Sequence, residues 1–210
     1  MATSSASNVS RSSNWIVQVL LLSALLAGGG FIIGFAIPYL IFDTEVMERF
    51  GGREAWIFSH VAAGALALLI GPFVLWMGFK RSKMKLHRKL GMLYILCIIV
   101  SSTTSFYLAV TTEVNWVFGF GLFGLGVAWV ITTGLALIAI KKRNFDQHME
   151  WMIRSYVVTF GFVFFRALVG ILNGMEVGTL IERLTTASWF CWAFPLLFAE
   201  AFIQGKKIFK

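Results

Sequence analysis

The run WVFGFGLFGLGVAWVITTGLALIAI, Trp116 to Ile140, holds 25 residues without one charged side chain. As a helix rising 1.5 Å per residue it is about 38 Å long, more than the roughly 30 Å of hydrocarbon in a bilayer. It shows no period-two alternation, so a barrel strand is excluded. Inside lipid every backbone N–H must be paired within its own segment, which leaves a transmembrane helix. Five further stretches pass the same test: Trp15 to Phe42, Trp56 to Phe79, Leu90 to Val110, Trp151 to Leu172 and Ser188 to Gln204. Four of the six open on tryptophan, whose ring suits the headgroup layer because its body is apolar and its N–H wants water. With 58% apolar and 13% charged residues, little of the chain is fit to be the surface of a soluble domain. The predicted fold is all-α, a polytopic bundle of six transmembrane helices forming one domain over residues 15–210. Residues 1–14, rich in serine, are expected to be a disordered tail.

A net charge of +8 would suit nucleic acid if it were spread over one surface, but it sorts by loop instead. Thirteen cations, among them Arg11, Lys80 to Lys89, Lys141 to Arg143 and Lys206 to Lys210, share alternate loops and the termini with only Asp146 and Glu150. The other loops carry seven acids against Arg49, Arg53 and Arg183. The positive-inside rule therefore predicts both termini and the two basic loops in the cytoplasm. The expected partner of the basic loops is the anionic surface of the lipid bilayer, not nucleic acid.

Ionisable groups within lipid are costly and by default face the bundle interior. His60, Arg154, Arg166 and Glu200 lie in the spans, and His87 and His148 stand at the cytoplasmic mouths of two of them. Each histidine starts a stripe stepping by four and three along one helix face: His148, Met152, Ser155, Thr159, Phe162, Arg166; His87, Gly91, Tyr94, Ile98, Ser101; and His60, Gly64, Ala67, Gly71, Val74, Gly78. The last face is nearly smooth, which favours close helix packing and also admits a flat cofactor. Counting residues from the span ends puts His60 about 6 Å and Arg166 about 9 Å below the outer interface, a second polar site. His87, His148, Arg154 and Glu200 fall in the inner layer, where Arg154 and Glu200 are placed to pair.

The segments Ser59-His60-Val61-Ala62-Ala63-Gly64, Leu86-His87-Arg88-Lys89-Leu90-Gly91 and His148-Met149-Glu150-Trp151-Met152-Ile153-Arg154-Ser155-Tyr156, followed by Phe165-Arg166, resemble a family of predicted bacterial membrane proteins catalogued as a domain of unknown function. The resemblance implies a membrane fold and singles out His60, His87, His148, Arg154 and Arg166. It supplies no reaction. A looser likeness, resting on histidines at helix ends in a small bundle, is to b-type membrane cytochromes, which implies haem b with His87 and His148 as iron ligands and Arg154 near a propionate.

Three functions follow as expectations. One is haem- or quinone-linked membrane electron transfer, with a quinone at His60 and Arg166. The alternative is a transporter or a non-catalytic assembly subunit docking another membrane protein, although no broken helix pair is evident to promote it. A zinc-dependent membrane hydrolase is opposed by depth, since His60 stands some 20 Å from the other two histidines while metal bonds are near 2.1 Å.

Overall fold

The computed structural model describes residues 4–208, with side chains described for residues 15–208, so the tail expected over residues 1–14 falls outside the residues whose side chains are described. Helix α1, Ser4–Phe31, passes through a π-helical stretch, Ile32–Ala36, into α2, Ile37–Leu40. The π stretch has a local cause in Pro38. Proline has no N–H to give and its ring would strike the carbonyl four residues back, so the ladder slips and Ile37 N–H bonds Ile32 O. After α3, Thr44–Met47, whose first turn is capped by the Asp43 carboxylate on Val46 N–H at 3.2 Å, come the long helices. These are α4, Glu54–Lys80; α5, Met84–Val110; α6, Trp116–Lys141; and α9, Leu180–Ile208.

Between α6 and α9 the chain does not form one straight helix. The sequence reading takes Trp151 to Leu172 as a continuous span, whereas the structure divides it into α7, Phe145–Thr159, and α8, Gly161–Gly174, bent by 41°. No proline causes this. The Thr159 hydroxyl bonds back to the Ser155 carbonyl at 2.8 Å and Gly161 follows at once, two features that loosen a helix. The expectation that no broken helix pair exists is corrected accordingly. Among the described residues five helices are long and apolar enough to cross a membrane, and the bent pair makes a sixth when counted as one span.

Short loops force neighbours to run antiparallel. Loop 81–83 turns through Arg81, with Arg81 N–H on Gly78 O and Ser82 N–H on Met77 O closing α4. The ends of α4, α6 and α9 and the starts of α5 and α7 thus gather at one basic end. Loops 41–53, 111–115 and 175–179 gather at the other, acidic end. Helix α4 packs on α5 and α7, α6 on α5, α7 and α9, and α1 lies at the edge against α4, where Gly28 meets Leu68.

The packing is inside out relative to a soluble protein. Leu20, Leu26, Ile33, Leu96, Ile138, Leu197 and Phe202 face outward, while Ser101, Ser102, Thr132, Thr133, Ser155 and Ser188 are buried beside Tyr94, Ile98, Trp129 and Tyr156. Lipid solvates alkyl side chains as well as a core does, so polar groups are the ones driven inward.

Candidate functional site

At the acidic end, α4 carries His60 against α5. Its Nδ1 stands 2.9 Å from the Ser101 carbonyl, and Ser101 Oγ donates back to the His60 carbonyl at 3.0 Å. A carbonyl can only accept, so Nδ1 holds the proton and Nε2 keeps its lone pair. His60 is buried, and its ring meets the edge of Phe162 at 5.6 Å between centroids. One turn further along α8 lies Arg166, whose guanidinium sits 5.3 Å from the Phe35 ring of the π stretch. His60 and Arg166 line one cavity of about 400 Å³. Its walls are apolar, from Phe31, Ile57, Leu122 and Phe162. Among the described residues neither His60 Nε2 nor the Arg166 guanidinium has a hydrogen-bond or ion-pair partner.

The mouth of this cavity uses residues that the sequence reading left in a loop. Arg53 bonds the carbonyls of Phe50 and Thr111 and the Glu113 carboxylate, tying the first acidic loop to the second, and Arg49 stands beside it. The available signal was the presence of arginines in loops otherwise filled with acids.

The cavity floor leads into a buried chain of hydroxyls. Because Thr159 spends its proton on the Ser155 carbonyl, it accepts from Trp129 Nε1 at 2.8 Å and from the Tyr94 hydroxyl at 2.7 Å. Tyr94 in turn accepts from Ser155 at 3.0 Å, and Ser155 from Thr133 at 2.8 Å. The stripes of α5 and α7 therefore face each other across α6. Sequence reasoning found Tyr94, Ser155 and Thr159 but missed Trp129 and Thr133. The pair Thr132-Thr133, mid-span in an otherwise apolar helix, was the signal.

His87 and His148 each precede that contact by seven residues, two turns of a helix, so the same stripes carry both imidazoles about 10 Å nearer the basic end. His87 Nδ1 donates to the Val74 carbonyl at 3.1 Å and His148 Nδ1 to the Ala136 carbonyl at 2.9 Å, leaving both Nε2 atoms with lone pairs. Anchoring Nδ1 in this way leaves each Nε2 able to act as a ligand, the donor type that the expected haem would need.

Two observations limit that fit. The smooth face of α4 is filled by side chains: Ser101 lies against Gly64, the Tyr156 ring over Gly71, and the His87 ring over Gly78, where an added Cβ would stand 3.3 Å from Cε1. Nor does Arg154 share the helix face that carries His148. Six residues on from His148, it points about 120° away around α7. There its Nε and Nη2 grip Glu200 Oε2 at 2.6 and 2.5 Å, its Nη1 lies 3.7 Å from Glu150, and Trp151 stacks beneath it at 4.5 Å. Lys207 completes the cluster on Glu150 at 2.8 Å, beside an open groove of about 590 Å³ between α6, α7 and α9. Arg154, expected beside a propionate, is thus engaged with Glu200, the pairing that residue counting also offers.

His60 and His87 do not converge. His87 is anchored at Val74, fourteen residues and about 21 Å along α4 from His60. Among the described residues no group of three or more His, Cys, Asp or Glu side chains is arranged to hold a metal ion.

A family model described as "Predicted membrane protein (DUF2306)" matches residues 57–203, which include all five candidate site residues. No curated protein and no solved structure matches the chain.

Proposed function

This chain belongs to the DUF2306 family of predicted membrane proteins, and from that premise we propose that it binds and passes on a lipid-soluble small molecule, with the acidic-end cavity as its site. The basic end faces the cytoplasm of a bacterial inner membrane, so the cavity belongs to the outer leaflet. The observation that carries the reading is one apolar cavity of about 400 Å³ lined by His60 and Arg166, where among the described residues neither the His60 Nε2 nor the Arg166 guanidinium has a hydrogen-bond or ion-pair partner. Unpaired polar groups inside a membrane bundle are costly and mark ligand paths, and the volume lies in the range of small-molecule sites. The bend at Phe160 supports the transporter class. Helix α8 bears Phe162 and Arg166 on the cavity wall, and broken spans beside a central site are a feature of carriers.

A second reading, membrane electron transfer, is favoured by the two Nδ1 anchors at the basic end. His87 and His148 would hold a b-type haem, which supplies one-electron transfer when bound, and the cavity would take its electron donor. Because His60 Nε2 accepts and does not donate, it matches the hydroxyl of a quinol better than the carbonyl of a quinone.

Trp129 lines the cavity and reports on its occupant. An uncharged dodecanol dibrominated at its tail should quench the Trp129 part of the emission, taken as the difference from Trp129→Phe. Quenching should saturate and should weaken in Val61→Phe, which narrows the cavity. Quenching that rises without saturation and is equal in both proteins refutes the cavity reading.

A further inference from the structure

Arg166 differs from the other partly buried arginines. Arg154 is held by Glu200 and Arg53 by Glu113, and Arg183 bonds Asn173 and two carbonyls. Among the described residues Arg166, inside a span, meets the face of Phe35 and has no hydrogen-bond or ion-pair partner. An aromatic ring stabilises a guanidinium but does not neutralise it, and a charge left uncompensated among apolar walls calls for an anion. The cavity repeats the imbalance as a whole. Its ionised lining residues are Arg49, Arg53 and Arg166 against Glu113, three positive charges to one negative, and that one carboxylate is already bound by Arg53.

We infer that the natural ligand is a single-chain amphipathic anion whose carboxylate or phosphate-type head is held by Arg166, with its chain against Phe31, Ile57, Leu122 and Phe162. This rests on the cavity reading above and specifies its ligand. The guanidinium fork matches the paired oxygens of such a head, which a neutral quinol lacks. Size selects the single chain, because about 400 Å³ is at the lower end of small-molecule sites and too little for a two-chain phospholipid. His60 Nε2 accepts a hydrogen bond from a hydroxyl on the ligand or from water beside the head.

The test compares two probes that differ only at the head, the dibrominated dodecanol and the matching dodecanoate, titrated against full-length protein in uncharged detergent with Trp129 quenching as the readout. The carboxylate should bind about tenfold more tightly than the alcohol, since a charge-assisted hydrogen bond is worth roughly one such factor or more. Arg166→Gln should abolish the preference by lowering the affinity for the carboxylate toward that for the alcohol, and Arg166→Lys should retain part of it. Equal binding of both probes by the unaltered protein overturns the inference without any variant. A preference that survives in Arg166→Gln overturns it too. If the alcohol also fails to bind, the cavity reading itself falls. In vesicles, loss of the carboxylate signal when phosphatidylglycerol replaces phosphatidylcholine assigns the anion to a bilayer headgroup and overturns the single-chain ligand; a signal kept in both supports it.

Discussion

Replacing Glu200 by Gln removes the main partner of the most deeply buried charge in the bundle. The Arg154 side chain is 5% exposed, and two of its nitrogens meet a single oxygen of Glu200, whereas Nη1 is 3.7 Å from Glu150 and makes no hydrogen bond. Breaking a fully buried pair costs about 3–5 kcal/mol, because the remaining charge is stranded. Here Glu200 is 43% exposed and Glu150 still offers a counter-charge, so the loss should fall to about 2 kcal/mol. For a chain of this length that corresponds to a drop of about 4–8 °C in Tm, measured by thermal unfolding in detergent. Glu150→Gln should cost less, about 1 kcal/mol, because the bond it withdraws from Arg154 is already long. The double replacement Arg154→Leu, Glu200→Leu should regain most of the loss, since an apolar pair leaves no charge behind. The reasoning is refuted if Glu200→Gln unfolds with the unaltered protein, if Glu150→Gln is the worse of the two, or if the double variant is less stable than Glu200→Gln.

Two further outcomes are expected. Cysteines placed at Ser82 and Gln147 should react with impermeant thiol reagents only once the cytoplasmic side is opened, and one at Thr179 should react from outside; the reverse pattern would invert the orientation drawn from the loop charges. For the electron-transfer reading, protein from haem-replete cells should give a Soret band and a pyridine-haemochrome signal, both lost in His87→Ala and His148→Ala and kept in His60→Ala, whereas a colourless preparation ends that reading.

Much of the site was legible because helices impose a fixed period. Steps of four and three from His148 and His87 are enough to place Tyr94, Ser155 and Thr159 on facing stripes, and their hydroxyls do meet. What the period cannot give is the partner across a helix interface. That Nδ1 of each histidine would seek a backbone carbonyl of the neighbouring helix, at Ser101, Val74 and Ala136, depends on how closely the helices approach. The same holds for the glycines of α4, whose spacing announces a smooth face without saying whether a ring, a helix or a cofactor lies on it; side chains fill it.

The sequence by itself determined the solvent, the helical class and the sorting of charge, because these depend on length and polarity along one segment at a time: a backbone in lipid has to pair within its own helix, and 25 uncharged residues leave no other arrangement. Only the tertiary structure decided where the fifth span bends and that Arg154 meets Glu200, the partner its depth offers, through two nitrogens on one oxygen. It also decided that His60 and Arg166, already placed in one layer by residue counting, line a single cavity, where among the described residues Arg166 has no ion-pair partner. These are properties of the packing between helices, where an angle of 41° in one span sets which side chains meet, and no periodicity within a single helix encodes that angle.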